Sequence, residues 1–272
     1  MTSADEPDFL SGTSGLVFGV RYTTRAILLD GLCDLIAWTL LERPRLRAAA
    51  ARAPRRRVLA LGIEREGEPT LLAAARTELG RSRHHVDFGS TGAGLRGKFD
   101  NLNLLLERHP PWGYDWLLVV DDDVALPRGF LDSFIFLAER FGLRLAQPAQ
   151  RYRSHAAWDV TRRRPASLVR ETLFVEIGPV TAFEATTFDT LLPFPPLRVG
   201  WGLDAHWSAL ARERGWKLGI VDATPVRHGL RMIAAAYDHQ DAIDEAREFL
   251  ADRPYTPADE ARRTIATHRV LR

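Results

Sequence analysis

The segment WLLVVDDD, residues 116–123, decides the fold class of this 272-residue chain. Its first five residues form an uninterrupted apolar run, which is typical of a strand buried on both faces of a parallel sheet. Three aspartates follow at the point where this strand must leave the core. Because ligands of open α/β sheets bind outside the carboxyl ends of the strands, the segment predicts a central strand with a polar site at its end.

Short apolar runs alternate with helix-like stretches on both sides of this segment. The predicted strands are 58–63, 84–88, 143–146, 172–177 and 218–221, and the predicted helices are 25–41, 70–79, 97–108, 130–140, 204–214, 238–250 and 257–267. This alternation predicts right-handed βαβ units and an α/β protein whose mainly parallel central sheet is flanked by helices. The chain then divides into a mobile tail (1–14), a helical N-terminal extension (15–56), the main domain (57–230) and C-terminal helices packed on that domain (231–272).

Composition excludes several classes of protein. Hydrophobic residues make up 46% of the chain and include 13 Phe and 7 Trp, which excludes general disorder. Cys33 is the only cysteine, so no disulfide can form within the chain. The N-terminal stretch is acidic where a signal peptide would be basic, and no uncharged run approaches the roughly 20 residues that cross a bilayer. A cytoplasmic protein is therefore expected.

Arginine is unusually abundant: of the 37 basic residues, only Lys98 and Lys217 are lysine. Coding bias explains the shortage of lysine, while selection for bidentate recognition of phosphate or carboxylate is the alternative. The stretch Arg43–Arg57 holds arginines and no acid, directly after an apolar helix. It predicts either peripheral contact with an anionic membrane or a solvated helix face followed by a basic linker. No nucleic-acid partner is expected, because the arginine clusters lack interleaved aromatic residues.

The three aspartates predict a metal site. In extended backbone Asp121 and Asp123 share a face while Asp122 points elsewhere, so two carboxylates can meet one hard divalent cation such as Mg²⁺ or Mn²⁺. The alternative is an acidic turn with one aspartate capping the next helix. His228, after the strand predicted at 218–221, is a candidate third ligand or an ordinary loop residue.

The segment GWGLD, residues 200–204, predicts a substrate-binding loop. Glycines on both sides of Trp201 allow unusual backbone angles and leave one face of the indole open to stack on a sugar ring, with Gly202 allowing close approach. Asp204 is a candidate general base or, alternatively, the N-cap of the following helix.

Three further groups are candidates for substrate contacts. Lys98 and the backbone N–H groups at the start of the helix predicted at 97–108, with Asp100 and Asn101, could meet a diphosphate. The basic stretch 151–170, with Trp158 and Arg170, could bind a phosphate-bearing substrate or form a solvated loop. Glu176 is a candidate for acceptor or donor-sugar contacts, or an edge-strand acid.

Taken in order, the segments GKFDN (97–101), LLVVDDDV (117–124), FVEIGP (174–179), GWGLD (200–204) and VDATPVRH (221–228) resemble those of a GT-A-fold nucleotide-sugar glycosyltransferase. The chain is most similar to a glycosyltransferase-like family that shares a DDD element, a QPA stretch, an F-V-E segment, W-G-L-D and a late V-x-H. The resemblance covers about 57–229, so it implies that the main domain is a GT-A domain.

The resemblance implies a role for each matched residue. Asp121–Asp123 would be the DxD element, with Asp123 on the metal, Asp121 on the donor ribose or the metal shell, and Asp122 among the donor-binding residues. His228 would be the late metal ligand. Asp204 would match the catalytic base of inverting galactosyltransferase-like enzymes, although those carry an acidic pair where Leu203 and Asp204 stand here.

The function expected from these residues and the resemblance is metal-dependent transfer of a sugar, by an enzyme of the hexosyltransferase class. The donor would be a nucleoside diphosphate sugar, with the UDP type favoured, and the cofactor Mn²⁺ or Mg²⁺. The acceptor would be a glycan, a lipid-linked molecule or a small molecule. Asp204 as base predicts inversion. The alternatives are a retaining transferase of the same fold and a non-catalytic module that binds sugar nucleotides or glycans.

Overall fold

The structure is a computed structural model that describes residues 7–11, 19–40, 42–230 and 238–271. Its helices are α1 (Gly19–Thr39), α2 (Glu42–Ala50), α3 (Leu72–Leu79), α4 (Lys98–Arg108), α5 (Phe130–Arg140), α6 (Phe188–Leu191), α7 (Leu203–Arg214), α8 (His239–Leu250) and α9 (Ala258–Ala261). Its strands are β1 (Arg57–Glu64), β2 (His85–Gly92), β3 (Trp116–Asp121), β4 (Val124–Ala125), β5 (Leu143–Gln150), β6 (Val169–Thr172), β7 (Val180–Glu184), β8 (Lys217–His228) and β9 (Thr264–His268).

One sheet organises the molecule, with the strand order β2-β1-β3-β7-β5-β8-β6-β9. The short strand β4 lies off this path and pairs with β8. Strands β6 and β7 run against the common direction of the others on the path. The predicted α/β class, with a central and mostly parallel sheet flanked by helices, is confirmed.

Strand β3 is buried on both faces, as its apolar run predicted. Leu117 and Val119 face one core with residues of α4, α7 and α8. Trp116, Leu118 and Val120 face the other core, which α3 and α5 cover. Because successive side chains of a strand point to opposite faces, a strand covered on both sides needs apolar residues at every position.

Two regions differ from the sequence-based prediction. The strand predicted at 172–177 was wrong: β6 ends at Thr172, the chain then forms a loop, and β7 begins only at Val180. The loop is held by side chains, since Thr172 Oγ1 donates to the Phe174 carbonyl (2.7 Å) and Thr181 Oγ1 to that of Glu176 (2.8 Å).

The helix predicted at 257–267 was also wrong. Only α9 is helical there, and the chain continues as β9, which extends the sheet by pairing with β6. The C-terminal segment therefore contains an edge strand as well as helices. The partner strand β6 lies far away in the sequence, so local periodicity could not indicate this pairing.

The described part of the N-terminal extension contains α1 and α2 in place of a single helix ending before Pro44, and its last residues, 51–56, are not helical. Of the predicted mobile tail, 1–6 and 12–14 lie outside the described residues. Residues 7–11 pack on the C-terminal segment, where Ala258 N donates to the Asp8 carbonyl (2.6 Å) and Phe9 is only 6% exposed. The predicted domain boundaries remain predictions. Among the described helices, none has the length and apolar character to cross a membrane.

Candidate functional site

A cleft of about 840 Å³ opens where β3 and β8 end and α4 and α7 begin. Its lining includes most of the residues that the sequence singled out, and they come from six separate parts of the chain. These lining residues are Lys98, Asn101, Asp121, Asp122, Asp123, Trp158, Glu176, Trp201, Gly202, Asp204 and His228. The predicted clustering of these positions around one cleft is therefore what the structure shows.

Strand pairing brings Asp123 and His228 together. Strand β4 follows Asp123 directly, and Val124 pairs with His228 at the end of the long strand β8. Asp123 Oδ1 and His228 Nε2 are 3.1 Å apart, and both side chains are largely buried. The other ring nitrogen, Nδ1, lies 3.0 Å from the carbonyl oxygen of His155. A proton on Nδ1 satisfies that carbonyl, and Nε2 then faces the Asp123 carboxylate.

The electrostatics of His228 follow from this pairing. Burial lowers its pKa, but the hydrogen bond and charge of Asp123, together with the charge of Asp121, outweigh burial and raise the pKa to about 9. Two carboxylates thus attract positive charge to this end of the cleft. A cation bound there competes with the histidine proton, because a ligating imidazole must be neutral.

The other two aspartates have different partners. Asp121 Oδ1 accepts a hydrogen bond from Lys98 Nζ (2.7 Å), which also donates to the Ile177 carbonyl (3.0 Å). Asp122 points away from Asp121 and Lys98, as the alternation of side chains along extended backbone predicted. Its Oδ2 accepts a hydrogen bond from the backbone N–H group of Arg65 (2.8 Å). Asp122 therefore holds the connection after β1 as well as bordering the cleft.

Two acids with raised pKa values, Glu176 and Asp204, line the cleft. Desolvation and, to a lesser extent, the nearby charge of Asp204 together raise the pKa of Glu176 to about 8. Burial also raises the pKa of Asp204 to about 7, although hydrogen bonds from the backbone of Ala205 and Ile177 oppose this rise. Both carboxyl groups can hold or release a proton near neutral pH, which is the range that general acid–base catalysis needs.

Asp204 is not a helix cap. Gly202, with φ of 81°, is the residue before α7, and no side chain caps this helix. Asp204 lies in the first turn, where its Oδ1 accepts from Ala205 N (2.9 Å). The positive end of the helix dipole stabilises a carboxylate in this position.

The glycine–tryptophan loop is held rigidly. A Cβ on Gly200, whose φ is 89°, would lie 1.9 Å from the Phe99 ring, so this position requires glycine. The Glu245 carboxylate of α8 accepts from the backbone N–H groups of Arg198 (2.6 Å) and Gly200 (2.8 Å). Trp201 is partly exposed to the cleft and packs against His239, with ring centroids 5.5 Å apart. The indole is thus presented at the rim of the cleft.

Several predicted contacts fall outside the cleft or are already used. The backbone N–H groups of Lys98 and Phe99 donate to the carbonyls of Arg198 (2.8 Å) and Leu197 (3.3 Å), so they are not available to a diphosphate. Asp100 lines a separate depression on the outer side of α4. Asn101 reaches the cleft, but its Nδ2 is bound to the Ala93 carbonyl (2.8 Å).

Within the arginine stretch 151–170, Arg153 and Arg164 are exposed, whereas Arg170 is not available to a phosphate. Arg170 is fully buried and forms a two-pronged ion pair with Asp222, with Nε–Oδ2 at 2.8 Å and Nη2–Oδ1 at 3.0 Å. Its two terminal nitrogens also donate to backbone carbonyls. Trp158 is 6% exposed and packs on Phe174, with centroids 4.4 Å apart, so only its edge reaches the cleft.

Two residues with clear roles were missed as site residues. Gln147 and Gln150 of β5 are fully buried and hold Glu176. Gln150 Nε2 donates to Glu176 Oε2 (2.8 Å), and Gln147 Oε1 accepts from Glu176 N (2.5 Å). Glutamine is rarely fully buried, so two of them in a buried strand were a usable signal.

No protein-family model matches this sequence, and no curated protein does either. Solved structures that it resembles include GalNAc-T7 with UDP, GalNAc and Mn²⁺, at 12% identity and a TM-score of 0.47, with 66% of this chain and 45% of that chain covered. A second is S. aureus TarS 1–349 in complex with UDP-GlcNAc, at 11% identity and a TM-score of 0.45, with 72% of this chain and 65% of that chain covered. A third is a mycobacterial protein, at 16% identity and a TM-score of 0.42, with 70% of this chain and 72% of that chain covered. This chain thus spans less than two thirds of GalNAc-T7 and of the TarS fragment, and its function must be argued from its own site.

Proposed function

We propose that the protein is a metal-dependent glycosyltransferase of the GT-A fold, which transfers a sugar from a nucleoside diphosphate donor, with UDP types favoured, to an acceptor hydroxyl. The observation that carries this proposal is the composition of one cleft. It holds the Asp123–His228 pair, the Lys98 ammonium beside Asp121, and the buried carboxyl group of Asp204. The Asp123–His228 pair and Lys98 would bind a diphosphate and its metal, and the Asp204 carboxylate would take the proton of the acceptor.

The residues present fit a divalent cation that a substrate helps to bind. Within the described ranges, no group of three or more His, Cys, Asp or Glu side chains could hold a metal ion. Mg²⁺ and its relatives are commonly bound by one or two carboxylates together with substrate phosphates, so a complete protein cage is not required. Asp123 and His228, with Asp121 beside them, would hold the ion, and the imidazole favours Mn²⁺ over the harder Mg²⁺. When bound, the metal supplies positive charge that offsets the charge developing on the diphosphate.

Lys98 is the protein's own cation at the donor end. Its ammonium group is fixed by Asp121 and the Ile177 carbonyl and lies beside the acidic end of β3. Asp121 is thereby oriented for the donor ribose or the metal shell. Asn101 and Asp122 contribute by fixing the surrounding backbone, since Asn101 Nδ2 donates to the Ala93 carbonyl and Asp122 Oδ2 accepts from the Arg65 N–H group.

Asp204 is the proposed base. The acceptor oxygen forms a bond to the anomeric carbon while the bond from that carbon to the diphosphate oxygen breaks, and the diphosphate leaves with the electron pair. The acceptor proton passes to a carboxylate oxygen of Asp204, whose raised pKa makes it a competent base near neutral pH. Attack from the face opposite the leaving group inverts the anomeric centre. Trp201 and Gly202 border the acceptor side, and Glu176 is placed to contact a sugar hydroxyl.

Donor binding is tested by titrating UDP, GDP and other nucleoside diphosphates with and without Mn²⁺, by calorimetry. We expect Mn²⁺-dependent binding of one nucleotide, and Asp123→Asn should remove the metal-dependent part of the affinity. Asp100→Asn is the matched control, because Asp100 lies outside the cleft and should leave binding unchanged. An Asp123→Asn variant with full Mn²⁺-dependent affinity would contradict the assignment.

Transfer is tested with the sugar nucleotide of the preferred base. Asp204→Asn should keep donor binding and lose turnover by roughly 10²–10⁴-fold, the usual contribution of a general base. The anomeric configuration of the product, read by NMR, separates inversion from retention. Retention together with full turnover of Asp204→Asn would assign Asp204 a positioning role instead. Tight nucleotide binding with no transfer or hydrolysis would indicate a binding module.

A further inference from the structure

Helix α1 presents its large apolar side chains to solvent. The side that packs on the protein carries Ala26, Asp30, Cys33 and Ala37. The opposite side carries apolar residues that we call the α1 stripe: Val20 (83% exposed), Ile27 (46%), Leu28 (68%), Leu32 (52%), Leu35 (54%) and Trp38 (72%). A surface helix of a soluble domain ordinarily shows the reverse arrangement, with its apolar stripe toward the core.

The α1 stripe is continuous along the helix. Leu28, Leu32 and Leu35 follow each other at intervals of four and three residues, which places them on one face. A helix of 21 residues is about 31 Å long at 1.5 Å per residue, so the stripe extends over most of that length. A contiguous exposed apolar face of this size indicates an interaction surface rather than scattered apolar residues.

The charges around the α1 stripe are of one sign. In 19–40 and 42–57, every charged side chain that is exposed is an arginine. Of the acids in this region, Asp30 is buried, and Asp34, whose side chain is 34% exposed, is paired with Arg43 as well as with arginines of the main domain. Asp30 and Asp34 accept salt bridges from Arg151 and Arg163, and Glu42 is partly buried.

We propose that the α1 stripe and the exposed arginines of the following segment (Arg43, Arg45, Arg47, Arg52 and Arg55) dock on an anionic lipid bilayer. The helix would lie in the plane of the interface, with the stripe among the upper acyl chains and the arginines on the phosphates. Apolar burial and attraction to anionic headgroups are the two contributions that hold such helices at membranes.

Charge favours a bilayer over a second copy of the chain. Two α1 helices paired antiparallel by their stripes would bring the arginines of α2 toward Arg21 and Arg25 of the other copy. The exposed surface of this region offers no acid to neutralise them. Like charges brought together across an interface oppose association, whereas anionic headgroups neutralise each arginine.

The position of α1 connects the surface to the cleft without depending on the proposed chemistry. Asp30 accepts hydrogen bonds from the backbone N–H groups of Tyr152 (3.1 Å) and Arg153 (3.0 Å). The same loop continues to His155, whose carbonyl contacts His228. A membrane bound by α1 would therefore lie at a fixed orientation relative to the cleft.

The test is co-sedimentation with vesicles of phosphatidylcholine alone and of phosphatidylcholine mixed with phosphatidylglycerol. We expect binding to the anionic vesicles and little to the neutral ones. Trp38→Gln combined with Leu28→Gln should lower the partition coefficient at least tenfold. Arg45→Gln and Arg52→Gln should each lower it about fivefold, since one arginine near an anionic surface contributes about 1 kcal/mol.

Matched controls use equally exposed residues elsewhere. Trp112→Gln with Ile265→Gln should not change binding, because these side chains are 59% and 62% exposed but belong to the connection between α4 and β3 and to β9, not to α1. Equal binding to neutral and anionic vesicles, or equal loss in the control variant, would overturn the proposal. So would an absence of vesicle binding together with a dimer that Trp38→Gln dissociates in sedimentation equilibrium. Nucleotide affinity measured on the same variants separates this result from failure of the proposed function.

Discussion

Replacing Asp204 with asparagine should make the protein more stable at alkaline pH while it disables the proposed base. Asp204 is 6% exposed, and burial disfavours its charged form enough to raise its pKa from 3.8 to about 7. A group whose pKa is raised on folding favours the folded state while it is protonated, and this contribution is lost as the pH rises through the folded pKa. Asparagine keeps the shape and cannot ionise, so it avoids that loss.

The size of the effect follows from the pKa. A rise from 3.8 to about 7, at about 1.4 kcal/mol per unit, corresponds to about 4 kcal/mol above pH 7. Against this, asparagine has one acceptor oxygen where the carboxylate has two, and the backbone of both Ala205 and Ile177 donates to the carboxylate. Loss of one such hydrogen bond costs about 1–2 kcal/mol. The net expectation is a gain of about 2 kcal/mol, or about 5 °C in Tm for a domain of this size.

The assay is urea denaturation of wild type and Asp204→Asn at about pH 4, near the unfolded pKa, and at about pH 8, above the folded pKa. The gain should grow between these two pH values, because near pH 4 the wild-type carboxyl is protonated in the folded state and partly protonated in the unfolded state, whereas at about pH 8 it is ionised in both. Asp252→Asn is the control, because that side chain is 78% exposed and its substitution should show no such pH dependence. A variant that is less stable than wild type by the same amount at both pH values would refute the argument that burial in the folded state disfavours the ionised form of Asp204.

Three further outcomes are expected. Gly200→Ala should destabilise the fold by at least about 3 kcal/mol in urea denaturation, because the new Cβ would collide with an aromatic ring, whereas Gly142→Ala, with φ of 70° and open space around it, should cost only about 1–2 kcal/mol. Arg170→Met should cost about 3–5 kcal/mol by leaving a buried carboxylate unpaired, whereas Arg212→Met, at an exposed ion pair, should cost under about 1 kcal/mol; equal losses would contradict the buried pair. The turnover number should rise about tenfold per pH unit up to about pH 7 and then level off, since Asp204 must be ionised to act as base, and a flat profile across that range would exclude it.

The sequence predicted the elements whose pattern is local. Helix α5 occurs at its predicted bounds, Phe130–Arg140, because its apolar residues recur at helical spacing. Strand β3 was predicted because an apolar run of its length followed by acids has few alternatives. By contrast, β9 depends on pairing with β6, and its alternating Thr264, Ala266 and His268 carry too weak a pattern to distinguish strand from helix.

Residue type and chain position together indicated that Asp123 and His228 belong to one site; the structure brings the two side chains together, and their role as metal ligands stays a prediction. The same signals could not indicate the environment of Arg170, because its partner Asp222 lies far along the chain and an arginine destined for a buried ion pair looks like any other in the sequence. The backbone donors before α4 were misjudged for a similar reason: the loop at Leu197 and Arg198 that occupies them is a tertiary contact.

The pairing of β4 with β8 limits which insertions and deletions the segment after β3 can accept. The two residues of β4 register Val124 against His228 and Ala125 against Arg227, and that short ladder alone sets which aspartate meets the histidine. A shift of one residue exchanges the faces of a strand, so a slip of β4 by one residue along β8 would turn Asp122 toward His228 and Asp123 away. Substitutions of the apolar residues Val124 and Ala125 preserve this register, whereas an inserted or deleted residue in β4 does not. At these two positions the length of the segment therefore matters more than the identity of the side chain.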